Sequence, residues 1–242
     1  MTNAEPTSPF RRRGFIAAAA VVSIIVLAAI IVLVMSFNRG DDEPTGAPTT
    51  STTPTPTTSA SPDAADQSVC GLEGFEEDNR LTAPPVVEWE LVGTVAAPAD
   101  PEVGPGEVDP DGFRSCFAHT AEGALFAAAN FVASGTDASI GPRLIELVAP
   151  GPGRDALANA PTGGDPSGFR AQIAGYSIAD YDNTAATVDL ALNYSTGDLV
   201  SLPLKLVWSE GDWKLQMTPE GELPLSPSPL TNLGGYTPWS GA

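Results

Sequence analysis

The chain has 242 residues, enough for one sizeable domain with extensions, and carries 30 acidic against 11 basic side chains, a formal net charge of −19. So acidic a chain repels a phosphate backbone at long range, and no direct nucleic-acid binding is expected. Two cysteines and one histidine are too few for the usual four-ligand structural zinc site, and no P-loop, dinucleotide glycine motif, H-E-x-x-H or G-x-S-x-G is present. No metal or cofactor is expected.

Residues 1–13 are a short polar tail ending on Arg11, Arg12 and Arg13, followed by an uncharged apolar run of 24 residues, GFIAAAAVVSIIVLAAIIVLVMSF, at 14–37. At ~1.5 Å per residue a helix of that length reaches about 36 Å, enough to cross a ~30 Å hydrocarbon core with some tilt. The run exceeds the ~7–15 residues of a signal-peptide core and ends without an A-x-A-like site, so a retained single-pass anchor in membrane lipid is expected. The three arginines set the N-terminus in the cytoplasm and the rest of the chain outside. Residues 38–67 are rich in Thr, Pro, Ser and acid. They lack the apolar side chains needed to fold and are expected to be a disordered linker, about 30 Å long as a coil and about 80 Å as polyproline helix.

Residues 68–118 mix short apolar pieces with prolines and glycines. PPVVEWELVGTVA, 84–96, is expected to be one strand with Val87, Trp89 and Leu91 on one face. DPEVGPGEVDPDG, 100–112, is an acidic loop. Its Glu107-x-Asp109-x-Asp111-Gly112 spacing matches the first half of a calcium loop, but Ala118 stands where the bidentate glutamate belongs and Pro110 is awkward, so a solvated loop is expected. Cys70 and Cys116 are the only cysteines. Outside the cytoplasm they are expected to pair, closing a loop of roughly 46 residues worth ~4 kcal/mol in the chain-entropy model. His119, the only histidine, follows three residues after Cys116. A reactive Cys–His pair needs a free thiolate, a base and exposure. A disulfide removes the thiol, so the segment reads as a fastening at the start of a helix.

Residues 119–218 form the main α+β domain. Thr120 is a good N-cap with Glu122 in the first turn, and Ala124, Leu125, Ala128, Phe131 and Val132 recur at helical spacing. A second helix is expected at 139–149, on Ile140, Leu144, Ile145 and Val148, and a short third one after Pro152. From Phe169 the period becomes that of a strand. FRAQIAGYSIADYD slips parity around Gly175, which predicts a bulge. TAATVDLALNY turns Val188, Leu190, Leu192 and Tyr194 inward, LVSLPLKLVW does so with Val200, Leu202, Leu204, Leu206 and Trp208, and WKLQM with Trp213, Leu215 and Met217. Pro203 predicts an edge position or an irregularity. Residues 219–242, rich in proline, are expected to be irregular. Helices first and then an antiparallel meander of about four strands give an α+β fold, a curved sheet with helices packed on it. Glu146, Asp180, Asp182 and Asp189 are candidate pocket acids. Asp189 points away from Val188 and Leu190, Asp180 and Asp182 sit at a strand end, and surface acids are the expectation for all of them.

Two or three helices followed by four strands ending on VWSEGDWKL, 207–215, resemble the cone fold of the nuclear-transport-factor-2-like superfamily over about residues 119–217. The plan of basic tail, anchor, linker and external domain is similar to the bitopic assembly factors of type IV secretion systems and their Gram-positive TcpC-type relatives, with one cone domain in place of two. APPVVEW, 83–89, and GFRSCFAHTAEGALFAAA, 112–129, also resemble membrane-anchored proteins of actinobacterial-type conjugative elements, in which an F-A-H-(T/S)-x-x-G-A segment, here 117–124, opens the first helix. The resemblance implies a non-enzymatic assembly component of a conjugative DNA-transfer apparatus, with protein partners in the cell envelope and self-association among them. Two other readings stay open. One is a cell-surface module for a small ligand or lipid, which calls for a deep apolar pocket. The other is an isomerase- or dehydratase-like enzyme, which calls for a buried acid close to Tyr176, Tyr181 or His119.

Overall fold

The computed structural model describes residues 66–160 and 170–241, all within one compact unit that spans 59–242. The expected anchor at 14–37, Arg11, Arg12 and Arg13, and nearly all of the 38–67 linker lie outside the described residues. Among the described residues no helix is long and apolar enough to cross a membrane.

The fold is α+β, three helices on an antiparallel sheet. Strands β1 (Glu88–Val92) and β2 (Val95–Ala99) form a hairpin, and β3 (Glu107–Val108) pairs with β4 (Arg114–Ser115). Helix α1 (Ala121–Ser134), a 3-10 helix (Gly141–Leu147) and α2 (Pro152–Ala158) follow. The meander β5 (Ala171–Tyr181), β6 (Ala185–Tyr194), β7 (Leu199–Ser209) and β8 (Asp212–Leu215) is antiparallel throughout. Two short strands, β9 (Ser228–Leu230) on β7 and β10 (Thr237–Pro238) on β5, complete the sheet.

Helix α1 starts where its cap predicts. Thr120 is extended and its side chain accepts the Gly123 N–H at 3.0 Å. Twelve of the fourteen residues of α1 are buried, so the helix is apolar on every side and lies inside the domain. One side meets Val188, Leu190 and Leu192 of β6 and Leu204 and Leu206 of β7, and the other is covered by the β1–β2 hairpin.

Four expectations need correcting or refining. The stretch 84–96 is not one strand: Gly93, at φ 57, makes a two-residue turn with Thr94 that folds β2 back on β1. The helix expected at 139–149 is only a 3-10 segment. It ends at Leu147, because Val148 turns extended to bridge Leu215 of β8 ahead of Pro150. The tail at 219–242 is not simply irregular, since it carries β9 and β10 and buries Trp239. Pro203 is tolerated in an inner strand by a gap. Lys205 turns its carbonyl to Gln216 and Trp208 its N–H to Thr184, so strand alternation aims the Pro203 nitrogen away from β6, between the stretches of β7 paired with β9 and β8. The expected bulge in β5 lies between Ile173 and Gly175, and a second register shift follows between Ile178 and Asp180.

Candidate functional site

Cys116 and His119 sit at a junction built from four pieces of chain. Cys70 and Cys116 form the expected disulfide, with Cα atoms 6.1 Å apart. His119 is 1% exposed. Its Nδ1 lies 2.9 Å from the Asp66 carbonyl oxygen and its Nε2 2.5 Å from that of Asn183. The ring stacks on Trp208 at 3.7 Å with 5° between planes and meets Phe75 and Trp213 edge-on. Both nitrogens therefore face backbone carbonyls, Trp208 covers one ring face and Phe75 and Trp213 crowd the rest, so the buried ring offers no open side to a substrate.

Asp212, which the sequence reading did not single out, anchors the same junction. The tight turn at Glu210-Gly211 places it at the start of β8, where its buried carboxylate accepts the N–H groups of Cys116, Phe117 and Trp213 at 3.0, 2.9 and 2.9 Å. Lys214 Nζ stands 3.4 Å away. Burial pushes the Asp212 carboxyl up, while Lys214 and the three N–H donors pull the other way. The segment 66–76 is tied in by Val69 N–H to the Gly211 carbonyl at 2.8 Å and Glu76 N–H to the His119 carbonyl at 3.1 Å. The Tyr181 hydroxyl donates to the Glu76 carbonyl at 3.0 Å.

The candidate acids are dispersed. Asp182 caps its own turn, accepting from Thr184 N–H and Oγ1 and from Ala185 N–H, and those bonds hold its carboxyl below the ordinary range. Asp180 pairs with Thr187 in the β5–β6 ladder. Asp189 accepts from Ser201 Oγ and from the Tyr236 hydroxyl, the latter at 2.7 Å, on the face away from α1. Glu146 pairs with Arg143 at 3.0 Å. Arg143 also clasps the acidic loop through Asp109 at 2.6 Å and Asp111 at 3.1 Å and lies over the Phe113 ring at 3.9 Å, so the loop is ion-paired rather than merely solvated. The Phe113 N–H, and then Arg143, hold Asp111 low. Tyr176 donates to the Ala83 carbonyl at 3.3 Å, and burial raises both Tyr176 and Tyr181.

Three of the hollows among the described residues adjoin α1. A cleft of about 240 Å³ at the start of α1 is lined by Glu73, Glu76, Glu102, Glu122 and Arg80. Partial burial there, and then the charges of Asp100 and Glu76, push Glu122 up. An apolar groove of about 550 Å³ runs between Phe131, Leu144, Ile145, Leu157 and Met217. Between α1 and the sheet a gap of only about 10 Å³ is left beside Arg114 and Asn130, room for little more than one water. Arg114 donates to Asn130 at 2.8 Å and to Glu90 at 2.7 Å, joining β4, α1 and β1.

Compared with known proteins, the chain matches no curated protein and no solved structure. Residues 49–238, most of its length, match one family, and the chain belongs to it: the family described as domain of unknown function (DUF8175).

Proposed function

We propose that the chain is a non-enzymatic, single-pass membrane protein that serves as an assembly component of a conjugative, type IV secretion-like DNA-transfer apparatus. The anchor at 14–37 holds it laterally, with Arg11, Arg12 and Arg13 on the cytoplasmic side, and the linker sets its reach. The cone-like external domain works through contacts with envelope proteins. The filled interior carries this proposal. Where a ligand-binding or catalytic cone needs a cavity, α1, Trp213 and Trp239 belong to one packed core, and the gap between α1 and the sheet beside Arg114 and Asn130 is about 10 Å³. The work is accordingly assigned, in this proposal, to the surface. The disulfide suits an oxidising compartment, as the proposed orientation requires.

Deleting the chain from a donor strain tests this. Mating frequency is expected to collapse and to return when full-length protein is supplied, and an unchanged frequency would remove the transfer role. A second reading, a surface module for a small apolar ligand or lipid, is favoured by the 550 Å³ groove alone. Saturable binding of a fatty acid to the full-length protein, abolished by Leu144→Asp, would support that reading instead.

A further inference from the structure

Trp239 is held as a ligand is held. It is 5% exposed, with ring centroids 4.7 Å from Trp89, 5.5 Å from Tyr176 and 5.9 Å from Phe126. Its indole N–H donates to the Pro85 carbonyl at 3.1 Å. Its backbone N–H donates to Ala174 at 3.2 Å, just beyond the pairing of Thr237 with Tyr176 and Pro238 with Gly175. A Cβ at Gly175 would lie 2.8 Å from the Thr237 carbonyl oxygen, so glycine lets the segment reach the strand. Main-chain bonds to a sheet edge and one side chain in a pocket are the two marks of recognition by strand addition. The pocket walls come from α1, β1 and β5, not from the segment itself.

The strand pairing itself is short: β10 has two residues, most of residues 231–235 leading into it are exposed, and the segment is otherwise tied by Trp239 and by the Tyr236 hydroxyl on Asp189. Release would leave the β5 edge open and the Pro85 carbonyl without its donor, and an open edge is a template for another strand. One kind of partner meets both needs, an extended segment with an indole just past the strand pair. Every copy of this chain carries one. Residues 223–242 contain no charged side chain, so this arm can approach a second copy without adding to the repulsion between two acidic chains.

The geometry points to this edge and pocket as an exchange site. Thr237–Gly241 is its resident occupant, and the same segment of a second copy takes its place. Contacts made within one chain or between two are identical, so exchange costs the geometry of the connecting residues and the freedom two chains lose on pairing, a cost that a high density of copies lowers. This deepens the assembly proposal by naming a self-association surface, but the exchange itself does not depend on the conjugative role.

The test uses full-length protein in detergent and a labelled peptide of residues 231–242. The variant Trp239→Gly is expected to bind the peptide saturably, and a peptide with alanine in place of that tryptophan at least about tenfold more weakly. Wild-type protein should take the peptide up less well, because its own segment competes at millimolar effective concentration. Two differently tagged wild-type chains, mixed at high density in the same vesicles, should co-purify, and excess peptide should part them. A folded Trp239→Gly chain that refuses the peptide overturns the site, and peptide binding without co-purification overturns the second copy as occupant. If Trp239→Gly does not fold, a protease site placed within residues 231–235 of the otherwise unchanged chain serves instead. The cut segment is expected to exchange with labelled peptide, and a segment that stays without exchanging, or leaves and does not return, overturns the proposal.

Discussion

Cys116 has a positive φ of 66, a left-handed conformation that costs a non-glycine residue about 1 kcal/mol. Three restraints hold it there: the bond to Cys70, the Asp212 carboxylate on its N–H, and the Gly106 N–H on its carbonyl. With the disulfide removed, the conformational cost becomes measurable. A Cys70→Ala/Cys116→Gly chain is expected to exceed Cys70→Ala/Cys116→Ala by about 1 kcal/mol in urea denaturation. Equal stability of the two would mean that the backbone relaxes there. His119 offers a separate check. His119→Phe can keep the stack on Trp208 but removes the ring N–H that one of the Asp66 and Asn183 carbonyls accepts, a loss of about 1–3 kcal/mol. An unchanged denaturation midpoint would show that these bonds do not matter.

At the scale of elements, the start of α1 gathers like charges. Glu122 has its folded pKa raised above the ordinary 4.5 by burial and then by Asp100 and Glu76. A group shifted in that direction contributes stability that is fully present below the ordinary value and is lost as pH rises through the folded one. Glu122→Gln, which mimics the protonated acid, is therefore expected to melt higher than wild type at about pH 7 and level with it near pH 4. A variant that melts lower at neutral pH would contradict the assigned sign. The same helix shows what was legible in the sequence. Its cap residue and apolar spacing marked its start, and the period-two alternation of Val188, Leu190 and Leu192 marked the sheet. The hairpin at Gly93 was hidden because Val92 and Val95 flank a turn too short to interrupt an apolar run. The 3-10 segment was misread because Leu144, Ile145 and Val148 recur at a spacing that a helix also shows, while the bridge from Val148 to Leu215 that ends it is a contact between distant residues. Trp239 was invisible for lack of a pattern: it and Tyr236 stand among Gly, Thr, Pro and Ser with no apolar period, and only the fold shows which pocket it fills. Asp212 was missed because a carboxylate in a turn sequence reads as solvated until the chain near Cys116 is laid over it.

For the whole molecule, the disulfide closes the segment from Cys70 to Cys116, which holds the β1–β2 hairpin, the acidic loop and part of the wall behind Trp239. Reduction, or Cys70→Ser, is expected to lower stability by up to ~4 kcal/mol and to open protease sites within residues 70–116 that the oxidised protein protects. Equal protease resistance would count against the fastening. The central claim is wider, that the anchored surface acts and no pocket chemistry does. Mating frequency tests it most directly in a deletion donor that carries one of two altered chains. The full-length chain with Asp180, Asp182 and Asp189 changed to asparagine is expected to restore transfer, and the chain lacking residues 1–40 is not. Restoration by the unanchored chain together with failure of the acid-neutralised one would contradict the account and turn attention to chemistry at those acids.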